Sequence, residues 1–186
     1  MNLKILSLVI IGVCILLPDV CYAFLEKDVH LLNMQNGLAD NTVSAVYKDK
    51  EGFVWFGTRN GLSRYDGRQI TNFEQSNSYP SISNLKEVFD GVLAFVDNGV
   101  FSAFDLKKER FLSVVSSSEK RIPSWGMLQK NDSLVWVISG SELHLMKRCA
   151  SKEGELRLRV QEKYTGWDNQ DNLLVAITYS SDKKSI

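Results

Sequence analysis

Cysteine and histidine are scarce in this chain, with three and two among 186 residues. Cys14 and Cys21 fall within the first 23 residues, so loss of that stretch leaves Cys149 alone and no internal disulfide can form. Cys149 reads as a loop thiol between two strands, because a nucleophile needs a neighbouring base and an orienting group and no spacing here supplies them. His30 and His144 lie far apart with no further imidazole, so no metal site and no cofactor are expected. Positive charge is not in excess either: 22 Lys and Arg balance 22 Asp and Glu, which excludes the basic footprint of a nucleic-acid-binding protein. Beyond the N-terminus no apolar run reaches membrane-spanning length.

Oxygen-rich clusters are present but lack the spacing that chemistry needs. Asp168-Asn169-Gln170-Asp171-Asn172 has neither the glycine nor the distal glutamate of a calcium loop and reads as a turn between strands. Asp49, Glu51 and Asp66 each occupy turn positions, where an acidic side chain bonds nearby backbone N–H groups. No two carboxylates are spaced for acid/base work, so no catalytic residue is assigned and ligand-binding residues stay unassigned.

What the chain does have begins with an export signal. Lys4 precedes the apolar run 5–17, and Cys21-Tyr22-Ala23 puts small residues at −3 and −1 of a cleavage site. Residues 1–23 therefore read as a secretory signal peptide cut after Ala23, leaving residues 24–186 as one modest exported domain.

The stretch 52–67, Gly-Phe-Val-Trp-Phe-Gly-Thr-Arg-Asn-Gly-Leu-Ser-Arg-Tyr-Asp-Gly, organises that domain. Residues 53–56 form a short apolar run with a turn signal at each end, as a buried strand requires. Asn60-Gly61 reads as a two-residue type I′ turn, 62–65 as the return strand and Asp66-Gly67 as a second turn. With 42–47 before and 69–73 after, a four-strand meander results. Such a sheet needs neighbours to bury both faces, and the chain provides copies. Trp55, Ala94, Trp136 and Val175 occupy equivalent slots at spacings of 39, 42 and 39 residues (94−55, 136−94, 175−136). A period near 40 with four strands per copy indicates β-propeller blades, and the recurrent slot makes Trp55 a wedge between blades rather than a sugar-stacking platform.

At Asn36-Gly37-Leu38-x-x-Asn41-x-Val43, Asp49-x-x-Gly52-Phe53-x-Trp55-Phe56-Gly57-Thr58 and Asn60-Gly61-Leu62-x-Arg64-Tyr65-Asp66-Gly67 the sequence resembles the two-component-regulator propeller repeat. That repeat builds the periplasmic sensors of hybrid two-component systems, chiefly the glycan-responsive ones of Bacteroides-type bacteria. The resemblance implies a periplasmic sensor segment with a carbohydrate as ligand, no enzymatic activity of its own, and homodimers among full-length relatives. The histidine kinase, receiver and DNA-binding domain of such regulators have no counterpart here, so the chain resembles the first quarter or less of a sensor ectodomain.

The expected fold is all-β, a partial propeller of antiparallel meanders. Its blades span about 41–75, 84–115 and 124–160, with an incomplete fourth over 161–186 and an orphan strand at 25–33 that closes the ring. Two other functions fit the same pattern: an exported propeller enzyme acting on glycans, and a small four-bladed interaction propeller.

Overall fold

Turn chemistry divides the chain into strands, and strand order builds the sheets. The computed structural model describes residues 30–74, 81–117 and 121–165, and those from Leu32 onward belong to one compact unit. The leader 1–23, the closing-strand residues 25–29, the Asp168–Asn172 turn and the remainder of the fourth blade from 166 lie outside the described residues.

The first meander comprises β1 (Val43–Lys48), β2 (Val54–Thr58), β3 (Gly61–Tyr65) and β4 (Ile70–Phe73), paired antiparallel in sequence order. A second repeats the order with β5 (Ile82–Phe89), β6 (Val92–Asp97), β7 (Val100–Asp105) and β8 (Arg110–Ser116), and a third with β9 (Gly126–Asn131), β10 (Leu134–Ser139), β11 (Glu142–Cys149) and β12 (Glu155–Tyr164). The described chain is thus all-β, built of antiparallel meanders.

Each meander buries its slot residue in an apolar cluster. Trp55 joins Leu62, Ile82, Leu85, Leu93, Phe95 and Phe104 in the core between the first two meanders. Ala94 lies in the larger core shared by the second and third, with Phe89, Val137, Met146 and Leu158. Trp136 packs with Leu128, Ile138, Leu143 and Leu145 on the far face of the third. The recurrent slot is therefore a packing position, and Trp55, 1 % exposed, presents no ring to a sugar. It stacks on Phe73 at 5.6 Å and meets Phe104 edge-on at 5.4 Å, contacts that each add about 0.5–1.5 kcal/mol beyond area burial.

Four local features depart from the sequence reading. Asn60-Gly61 does not form a type I′ turn: the loop residues are Arg59 and Asn60, Thr58 pairs with Gly61, and only Gly61 has a positive φ of 117°. Thr58 Oγ1 accepts the Asn60 N–H at 3.1 Å and donates to the Gly61 carbonyl at 2.9 Å, which sets this geometry. The type I′ conformation occurs instead at Asn98-Gly99, with φ of 48° and 76°. His30–Asn33, expected within the closing strand, form none; Asn33 caps a 3-10 turn at Met34–Asn36, its side chain accepting the Gln35 and Asn36 N–H groups. Residues 161–164, expected to open a fourth blade, complete β12, because Leu143, His144 and Leu145 pair with Tyr164, Lys163 and Glu162. Finally, β8 and β12 pair in parallel, Glu155 opposite Ser113 through Leu158 opposite Ser116, so the second and third meanders form one eight-stranded sheet.

That pairing makes the two joints unequal. Between the second and third meanders the outer edges are zipped by backbone bonds, which also covers two strand edges. Among the described residues β4 of the first meander pairs only with β3, and the joint to the second rests on side chains. It is held by the apolar core, by Ser44 Oγ donating to the Ile82 carbonyl, and by close packing at Gly57, where a Cβ would sit 2.6 Å from Ile82 Cγ2.

Candidate functional site

The joint between the first and second meanders opens into a cleft of about 490 Å³. Its walls come from the β1–β2 turn (Asp49, Lys50, Glu51), the β2 entry (Phe53, Trp55), Arg64 on β3, the β5–β6 end (Glu87, Asp90, Gly91) and the β7–β8 turn (Leu106, Lys107, Glu109). A shallower depression of about 380 Å³ at Asp40, Arg59, Asn60 and Ser81 involves the β2–β3 turn and the residue preceding β5.

Asp49 sets the first wall. Its Oδ1 accepts the N–H groups of Glu51 and Phe53 at 3.0 and 2.9 Å, and its Oδ2 accepts the Trp55 indole N–H at 2.8 Å. Gly52 completes the turn at φ 95°. The sequence reading of Asp49 as a turn residue holds, and it also orients the buried indole. Asp66 has a similar task away from the cleft, where the Gln69 and Arg68 N–H groups hold its carboxyl below the ordinary carboxylate range.

Across the cleft Glu87 is nearly buried, its side chain 8 % exposed. It accepts from Tyr47 Oη at 3.3 Å, Lys50 Nζ at 3.3 Å and the Gly91 N–H at 3.0 Å. Burial first, then the Glu87 charge, raises the Tyr47 phenol above its usual value, so it stays a neutral donor. Lys50 is shifted upward by its bond to Glu87, and Asp90 downward by Lys107 and then Lys50. Lys50 thus bridges the meanders, reaching Glu87 and Asp90, while Lys107 reaches Asp90 at 3.4 Å.

Arg64 and Glu109 form the second bridge, Nη1 to Oε1 at 2.5 Å. The guanidinium lies 4.7 Å over the Phe53 ring and 5.6 and 5.7 Å from Trp55 and Phe73. Its Nε is buried and has no hydrogen-bond partner. The sequence reading quoted Arg64 as a residue of the repeat motif but gave it no part in a site, and it did not single out Glu109. The residue facing the slot across the hairpin is Ala103 in the second meander and Leu145 in the third, whereas in the first it is Arg64.

The remaining sequence-singled residues lie elsewhere. Cys149 is the last residue of β11, opposite Arg157, not a loop thiol, because residues 147–149 keep pairing with 157–159. His144 is buried beside Glu142 at 2.9 Å, and Lys163 reaches the other oxygen of Glu142 at 2.6 Å. Among the described residues no group of three His, Cys, Asp or Glu side chains converges as metal ligands, and no helix is long and apolar enough to cross a membrane.

Comparison with known proteins agrees with this architecture. Residues 37–60, which build one wall of the cleft, match the family described as two component regulator propeller. Among solved structures, the fold resembles the extracellular domain of the hybrid two-component system BT3049 from B. thetaiotaomicron, with TM-score 0.55 and 16 % identity over 74 % of this chain and 18 % of that one. It also resembles the extracellular domain of the one-component system BT4673 from the same organism, with TM-score 0.61 and 15 % identity over 83 % of this chain and 24 % of that one. A second structure of the BT4673 extracellular domain, there described as a hybrid two-component system, gives TM-score 0.53 and 21 % identity over 71 % and 18 %. The chain spans between about a fifth and a quarter of these domains, and what it shares with them is the propeller-like all-β fold. No curated protein matches it.

Proposed function

We propose that this chain is the ligand-sensing part of an extracytoplasmic propeller in a two-component system, and that the cleft between the first and second meanders receives a carbohydrate. The observation that carries the reading is the coincidence of the regulator-propeller match at 37–60 with the wall of that cleft. Export through the leader at 1–23 fits an extracytoplasmic site and a periplasmic address.

The site is built for binding. Asp49, Glu87, Asp90 and Glu109 are all engaged with N–H groups, Tyr47, lysines or Arg64, so none stands as a free acid or base. Phe53 offers apolar surface beside charged donors and acceptors, the mixture that fits a polyhydroxylated ring with apolar C–H faces. The cleft is also lined by two sheets that, among the described residues, no strand pairing ties together, so an occupant would change how they sit. This is the physical basis for signalling from such a site.

Calorimetry of the mature chain against a panel of oligosaccharides, with chromatography of the same samples, tests the proposal. Saturable binding without product is the expected result. Turnover of any glycan, or no binding across the panel, contradicts it.

A further inference from the structure

We infer that the first meander rocks on the second about a fixed contact at Ser44, Gly57 and Ile82, and that ion pairs across the cleft hold the joint shut at its other end. The movement belongs to the walls of the cleft and goes beyond the proposed function, since it does not depend on what the cleft receives.

The fixed contact lies at the end of the strands away from the cleft. Ser44 and Gly57 stand beside the β2–β3 turn, where Val43 pairs with Thr58 and Ala45 with Gly57. Ile82 opens β5 opposite Asp97, next to the β6–β7 turn. There the two sheets meet at backbone distance. A Cβ on Gly57 would lie 2.6 Å from Ile82 Cγ2, and the Ser44 hydroxyl donates to the Ile82 carbonyl. Gly57 and Ile82 are both buried and neither is charged, so salt and water have little hold on this contact.

At the cleft end the walls are bridged by charged side chains that stand largely in water. Lys50 reaches Glu87 at 3.3 Å and Asp90 at 3.5 Å, with the Lys50 and Asp90 side chains 73 % and 74 % exposed. Arg64 reaches Glu109, whose side chain is about half exposed. Exposed pairs of this kind are weak and yield to salt. Lys50 falls at a position that the repeat motif leaves open, so the architecture of the repeat does not prescribe its contacts. Glu87 is nearly buried, but it keeps the Gly91 N–H of its own meander when Lys50 and Tyr47 move away, and it then gains water.

The other joint shows the contrast. Between the second and third meanders the ladder from Ser113 to Ser116 is extended at both ends, by the Ser113 N–H to the Gly154 carbonyl and the Ser117 N–H to the Leu158 carbonyl. Among the described residues no backbone–backbone hydrogen bond crosses the first joint. Sheets bonded along an edge move as one body. Sheets packed at one end and held by screened charges at the other have one soft direction, rotation about the packed end. Phe53 in the cleft stands four residues from Gly57 along β2, a lever of about 13 Å. The edge-on contact of Trp55 with Phe104 spans the joint and keeps the tilt small.

Pairs of nitroxide labels read the movement by pulsed dipolar spectroscopy, in the chain from residue 24 onward carrying Cys149→Ser. One pair, at Arg68 and Lys152, lies at the cleft end; the other, at Arg59 and Ser141, lies at the opposite end, and all four positions are exposed. The native ion pairs are compared with the Lys50→Met/Glu109→Gln variant, and a thermal melt establishes that it folds. Each is measured in about 0.01 M and about 1 M salt, between which the screening length falls from ~30 Å to ~3 Å. The native chain at high salt, and the variant at either salt, are expected to show the Arg68–Lys152 distance longer by roughly 2 Å, the displacement of a tilt of about 10° over that lever. The Arg59–Ser141 distance stays fixed throughout. A cleft-end distance that responds to neither salt nor substitution overturns the inference. So does lengthening of both pairs together, which is separation of the sheets and not rocking. If the variant does not fold, the salt response of the native chain decides alone. No ligand enters these measurements, so failure of every saccharide to bind removes the proposed function and leaves the movement standing.

Discussion

The carboxylate of Asp49 accepts the indole N–H of Trp55 at 2.8 Å, and six residues before the equivalent Trp136 the chain carries Lys130 instead. Lys130 Nζ lies 4.9 Å over the Trp136 ring, and the Trp136 Nε1 is buried without a partner. The same slot is thus filled by the same side chain under two regimes. In the first meander a turn carboxylate fixes the indole by a charge-assisted bond; in the third a cation rests on its face.

Removing the indole nitrogen separates the two regimes. Trp55→Phe loses packing and also leaves a carboxylate oxygen of Asp49 without its donor, whereas Trp136→Phe loses no hydrogen bond. Urea unfolding is expected to show Trp55→Phe costing about 1–2 kcal/mol more than Trp136→Phe. Equal costs would mean that the Asp49 bond contributes nothing to stability.

Gly57 tests how tightly the first two meanders meet. An added Cβ there would lie 2.6 Å from Ile82 Cγ2 and 3.0 Å from the Ile82 carbonyl oxygen. Gly57→Ala is expected to destabilise by about 1–3 kcal/mol through overpacking. Ile82→Ala removes one of the two obstacles, so the double variant should cost about 1 kcal/mol less than the two single costs added together. Simple additivity in a double-mutant cycle would show that the two residues are not in contact.

Much of this fold was legible because its determinants are local. The apolar run at 53–56, the turn residues of Asp49 and Gly52 and the recurrence that joins Trp55, Ala94 and Trp136 need only a few neighbours in sequence, and they place the strands to within a few residues. Trp55 and Ala94 are each buried in an apolar cluster shared by two meanders, as a wedge should be, while Trp136 packs within the third and Val175 lies outside the described residues. What escaped depends on partners distant in the chain. The parallel pairing of β8 with β12 joins residues about 40 positions apart, and nothing in the composition of either strand requires it. The true length of β12 comes from pairing with β11. At Arg59-Asn60-Gly61 the Thr58 hydroxyl selects the turn conformation, so the Asn-Gly pair alone misled. The cleft was harder still: Arg64 and Glu109 stand 45 residues apart and meet only because two sheets stack.

Asp97 gives a pH test. Burial raises its carboxyl above the ordinary value, only partly opposed by the Ser81 N–H. A carboxyl with a raised folded-state pKa disfavours the fold once it ionises, so its cost is present at neutral pH and disappears as pH falls below the ordinary carboxylate value. Asp97→Asn should therefore melt at a higher temperature than the native chain at pH 7, and the advantage should vanish near pH 3. A variant that is less stable at pH 7 would assign the Asp97 charge a stabilising role instead.

Whether ligand sits in the cleft is read most directly by chemical-shift mapping. The nitrogen-15-labelled chain from residue 24 onward is titrated with the oligosaccharide that calorimetry selects, and the Trp55 indole, the Gly91 amide and the Arg64 side chain are monitored. Progressive, saturable shifts at these groups, with Asn60 and Ser81 unmoved, are the predicted result. Shifts confined to Asn60 and Ser81, or none at the cleft while the ligand binds, would contradict it.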